Sequence, residues 1–170
     1  MAETKYEELK RAISAYGEAA FQNLLRCKAL GEAVIDGFHA WLGCERRCVA
    51  GVPPEGPFDP RRDYGDEAFS FSKRPVVILE PVRFGVSLIV GNAEDSGALW
   101  LRAAVVAEVV GDSFDVFVAS QPRIRTPLAF DGALDPIFEA IHREFLDTFR
   151  IEVMEFNDAR FRDGIGFLPM

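Results

Sequence analysis

The chain has 170 residues, with 19 Lys/Arg against 27 Asp/Glu and a formal charge of −8. At 49% hydrophobic and 27% charged residues, its composition excludes a disordered tail, a collagen or a membrane-embedded chain. The acidic balance also argues against nucleic acid or an anionic membrane as a partner. The length suits a single domain, residues 1–170, able to bury a core of its own. No basic stretch followed by an apolar one opens the sequence, and no run approaches the ~18 apolar residues of a membrane span. A cytoplasmic chain with reduced thiols is therefore expected.

The first element opens with a capping box, Thr4-x-x-Glu7. Apolar residues then fall on a seven-residue grid. One row is Tyr6, Ile13, Ala20, Cys27, Val34 and Trp41; the other is Leu9, Tyr16, Asn23, Leu30 and Gly37. This is a helix with one apolar stripe. An unbroken helix from Lys5 to Leu42 would run about 57 Å at 1.5 Å per residue, whereas a compact domain of this size has a radius of gyration of about 15 Å. Gly31 and Gly37 are candidate break points, so the expectation is two helices, near 5–29 and 31–43, within a helical segment 1–48. The alternative is one helix that projects and meets another chain. Tyr6, Ile13, Tyr16 and Trp41 are then the candidate interface residues, with Asn23 as a polar seam residue.

Residues 49–67 carry four prolines, Pro53, Pro54, Pro57 and Pro60, and read as a loop. Residues 68–127 read as an antiparallel sheet. Phe69 and Phe71 alternate with serines, Pro75 interrupts, and Val76–Leu79 looks like a short buried run. Val82, Phe84, Val86, Leu88 and Val90 form the clearest strand. Leu99 to Val109 alternates in the same way. Gly111-Asp112 reads as a two-residue hairpin turn before the returning strand Phe114, Val116 and Val118. Residues 120–127, bounded by Pro122 and Pro127, suit a loop or a protected edge. Asp135-Pro136 starts a C-terminal helix over 133–158, with Asp as N-cap and Pro at N1. Its stripe is Ile137, Phe138, Ile141, Phe145, Phe149, Val153 and Phe156. A tail, 159–170, follows, in which Phe167 and Leu168 are candidate anchors. The expected fold is α+β: N-terminal helices, a four- to five-stranded antiparallel meander, and a C-terminal helix packed on one face.

Chemistry-bearing residues are sparse. Cys44 and Cys48 stand as C-x3-C after His39, but zinc needs four ligands in tight pairs, and only Cys27 and His142 remain to complete a set. No metal or cofactor is expected. Gly111-Asp112-Ser113-Phe114 resembles the nucleophile block of the GDSL-type esterases over these four positions. That family places the block after a parallel strand near its N-terminus and an Asp-x-x-His block near its C-terminus. Here the triplet lies in a hairpin turn, and Glu139 stands three residues before His142. Arg123 and Arg125 alternate and share one face of an extended strand. Should they meet Arg61, Arg62, Lys73 and Arg74, they would form a basic patch for a small anionic ligand, to which His142 is a further candidate. No catalytic residue stands out.

Three functions fit. The first is a non-catalytic protein-binding or adaptor domain that self-associates through its N-terminal helix. The second is a small-molecule-binding domain with a Phe-lined pocket between sheet and helix. The third is an enzyme with a non-motif active site.

Overall fold

The computed structural model describes residues 2–91, 98–149 and 165–168. Its elements are α1 (Lys5–Leu42), β1 (Val49–Val52), β2 (Val82–Gly91), β3 (Ala98–Val110), β4 (Ser113–Val118), β5 (Ile124–Pro127), α2 (Asp135–Thr148) and β6 (Ile165–Leu168). The fold is α+β. Strands β1 to β5 form an antiparallel meander in sequence order, and β6 pairs with the first part of β3.

One face of the sheet carries the core. Val86 of β2, Ala103 and Val105 of β3 and Val116 of β4 meet Leu30, Val34 and Phe38 of α1 and Ile137, Ile141 and Phe145 of α2. Period two on the strands and periods three and four on the helices make these surfaces. The Phe38 ring lies 5.8 Å from Phe138 and 6.1 Å from Phe145, so aromatic contacts fill the space where the helices meet over the sheet.

The N-terminal segment is one helix of 38 residues rather than two. Gly31 and Gly37 do not break it; they let it approach its neighbours. A Cβ on Gly31 would lie 2.5 Å from Phe69 Cε1, and one on Gly37 would lie 3.0 Å from Phe138 Cζ. The break comes at Gly43, whose φ of 81° closes the helix in a left-handed C-cap.

The segment expected as a loop contains a strand, β1, on the edge of the sheet beside β2. Beyond Val52 the chain crosses over β2 at Gly85, where a Cβ would lie 2.6 Å from the Val52 carbonyl oxygen. The crossing is held on the outer face of the sheet. The buried Arg102 guanidinium donates to the Pro53 and Gly56 carbonyls at 3.2 and 2.8 Å and lies over the Phe58 ring. Phe69 and Phe71, expected to alternate in a strand, do not: Phe69 stands between two short 3-10 turns, Gly65–Ala68 and Ser70–Lys73, and makes a single bridge to Phe84, and Phe71 lies in the second turn.

Val76–Leu79, expected to be buried, is exposed and forms no strand. Pro75 and Pro81 bracket it, and neither can donate to a ladder. The Gly111 turn, with φ 64°, joins β3 to β4 as expected. Asp135 is the first residue of α2 rather than its cap, and Leu134 takes the cap position. Val153 and Phe156 of the expected stripe lie outside the described residues. Leu168 is buried in β6 and anchors the end of the chain.

Candidate interaction surface

The apolar stripe of α1 has two fates. From Ala20 onward, Ala20, Cys27, Leu30, Val34 and Phe38 are at most 1% exposed. Before it, every described residue of the helix is exposed, and the stripe continues unpaired. Tyr6, Leu9, Ile13 and Tyr16 stand 69, 61, 69 and 49% exposed. Residues 5–19 thus form an arm of about 22 Å at 1.5 Å per residue. Thr4 and Glu7 cap it reciprocally at 3.1 and 2.9 Å, and Arg11 reaches back to Glu3 at 3.0 Å. An isolated helix of this length is marginal in water. Here the turns that follow are already held on the sheet, so the arm extends an existing helix.

Val76–Leu79 runs against the base of the arm. The Tyr16 hydroxyl accepts from the Leu79 amide at 2.9 Å, and the Asn23 amide group donates to the Glu80 carbonyl at the same distance. The expected seam residue Asn23 therefore binds its own chain. Val76, Val77, Ile78 and Leu79 are 38–63% exposed. Sequence reading missed this strip as surface; the two prolines that bracket it were the available signal.

The other candidates are placed elsewhere. Trp41 lies far from the arm. It is half-buried at the other end of α1, 6.1 Å from the rings of Phe38 and Phe138. His142, exposed on α2, stands edge-on to Trp41 at 5.7 Å. Arg123 and Arg125 converge on a carboxylate of their own chain. Arg125 Nε donates to Asp115 Oδ1 at 3.2 Å, and Arg123 lies 3.7 Å from Oδ2. They sit by β5, at the edge of the meander opposite β1, whereas Arg61 and Arg62 border a cleft beside β1. Arg62 pairs with Glu67, and Arg74 with Glu80. The arginines therefore do not gather into one patch.

The cleft beside β1 measures about 790 Å³. Ile35 and Phe69 line it together with charges of both signs, and Arg46 is paired with Asp36 across 3.2 Å. Ser113 opens β4 directly after the hairpin turn, 3.4 Å from Asp112 Oδ1. Among the described residues, no three His, Cys, Asp or Glu side chains are grouped to hold a metal ion. No described helix is long and apolar enough to cross a membrane.

No known family model, curated protein or solved structure matches the chain. The site must be read from its own chemistry. Burial pushes the Cys27 thiol up to about 11, with the Glu108 carboxylate adding to the effect. Burial also raises Cys44, with Cys48 beside it acting in the same direction. Both shifts favour the neutral thiol over the nucleophilic thiolate. Among the described residues, the exposed large hydrophobic side chains concentrate on the arm and on the strip at its base.

Proposed function

We propose that the protein is a non-catalytic interaction module that binds through its helical arm and self-associates there. One observation carries the reading: a single stripe is buried from Ala20 to Phe38 yet uncovered from Tyr6 to Tyr16. Contiguous apolar surface of this kind marks an interaction site, and Tyr is enriched in interface cores. The partner class is protein, in keeping with the charge of −8, rather than nucleic acid or a membrane surface. A cytoplasmic homodimer with reduced thiols is the form this reading implies.

Sedimentation velocity over a wide range of concentration tests it. The wild-type chain is expected to shift from monomer to dimer. Ile13→Asp, which places a charge in the exposed stripe and disturbs no core contact, should weaken association at least tenfold and leave the circular-dichroism spectrum of the monomer unchanged. A wild-type chain that stays monomeric at the highest concentrations would sink the proposal.

A further inference from the structure

The unbroken course of α1 also restricts how two arms can meet. Resting on the self-association reading, we infer that the partner is a second copy whose arm lies antiparallel to this one, with its tip on the Val76–Leu79 strip.

The argument is steric. The exposed stripe of the arm and the buried stripe of residues 20–42 lie on one face of one helix. In a parallel pair the partner's residues 20–42 would run beside this chain's own, on the face where β1, β2 and β3 already pack. That space is filled by Val49, Val86, Ala103 and Val105. An antiparallel pair has no such conflict, because each folded body lies beyond the tip of the other arm.

The overlap is then set by the strip. Leu79 binds Tyr16, so the body of the domain begins at the level of Tyr16 and the incoming helix stops there. An overlap from Tyr6 to Tyr16 sets Tyr6 of one copy against Tyr16 of the other, and Leu9 against Ile13. Lys5 falls at the level of Gly17 of the second copy. Arg11 lies at the level of the symmetry axis, on the face of the helix turned away from the partner. Ala12 sits at the flank of the seam, where a small side chain permits close approach.

The area is sufficient. A whole aromatic side chain carries roughly 150–250 Å²; Tyr6 and Tyr16 are of that size and the six aliphatic residues are smaller, so the exposed fractions leave on the order of 100 Å² or less on each of the eight arm and strip residues. The total, at most about 800 Å² per chain if all eight are covered, reaches the share of each partner in a standard-size interface. The surface is also self-complementary, as a twofold interface requires.

Cysteine cross-linking in the full-length chain separates the geometries, in a background of Cys44→Ser and Cys48→Ser. Tyr6→Cys and Tyr16→Cys, mixed and mildly oxidised, should give a mixed disulfide dimer, and neither should cross-link efficiently alone. Val77→Asp should weaken the dimer several-fold and leave the monomer folded. Efficient cross-linking of Tyr6→Cys to itself would establish a parallel pair and overturn the inference while self-association stands. A sedimenting dimer that gives no mixed disulfide and ignores Val77→Asp would overturn it as well. A chain that never dimerises removes both the inference and the reading beneath it.

Discussion

Gly31 faces the Phe69 ring so closely that a Cβ would lie 2.5 Å from Cε1 and 2.9 Å from Cζ. The ring has no room to retreat, because it is stacked on Phe71 and tilted against Phe84, each with centroids 5.3 Å away. Alanine normally improves a helix by about 1 kcal/mol over glycine. At Gly31 the clash should outweigh that gain, and Gly31→Ala should destabilise the fold by about 1–3 kcal/mol. Gly17, on the arm, has nothing within 4 Å of its Cβ position. Gly17→Ala should therefore stabilise by up to about 1 kcal/mol. Urea unfolding of the two variants should show opposite signs, and equal signs would contradict this account of the helix.

Arg102 should tie down the chain crossing between β1 and the 3-10 turns. Its guanidinium is buried and donates to two loop carbonyls. Arg102→Met keeps much of the stem but leaves those carbonyls without their donor. The expected cost is about 2–4 kcal/mol. Chymotrypsin should then cut at Phe58, which stands edge-on to Trp100 at 4.8 Å in the native fold. Unchanged resistance at Phe58 would mean that another contact holds the crossing.

Asp115 is buried while its two arginines are largely exposed. The exposure of Arg125 limits the worth of the pair, and a double-mutant cycle of Asp115→Asn with Arg125→Ala should return a coupling of about 1 kcal/mol or less. Arg125→Ala alone should cost more than Arg123→Ala, because the Arg125 contact is 3.2 Å and that of Arg123 is 3.7 Å. The reverse order would show that Arg123 is the main partner in solution.

Cys27 should make the fold sensitive to alkali. In the unfolded chain its thiol ionises near the ordinary 9.0, and in the folded chain only at about 11, chiefly because it is buried. The folded state therefore holds the extra proton across that window. The contribution is fully present below 9.0 and is lost as the pH rises towards 11, amounting to about 3 kcal/mol. Urea midpoints measured on both sides of the window should fall for the wild type and fall less for Cys27→Ala. Identical slopes would assign the alkaline loss to other groups.

Wherever one local period repeated over many residues, the sequence was enough. The 3.6-residue stripe of α1, the alternation of β2, β3 and β4 and the Gly111 turn were legible because each depends on neighbours along the chain. The α+β class followed from their order. Residues whose surroundings come from distant parts of the chain were not legible. Gly31 and Gly37 look like helix breakers until the Phe69 and Phe138 rings are seen against them. Arg123 and Arg125 share a face in the sequence, but only the structure shows that the Asp115 carboxylate lies between them.

The sequence by itself determined that α1 carries one continuous apolar face, because helical geometry maps a heptad grid onto a single side. Only the tertiary structure decided which part of that face is spent inside the fold. Burial along α1 begins at Ala20, and the core cluster shared with the sheet takes in Cys27 and Leu30, whereas Leu9 and Ile13, on the same stripe, are surface. How far a sheet extends beside a helix depends on strand register and chain crossings, and Gly85 and Arg102 fix the crossing beside β1 through contacts between segments far apart in sequence.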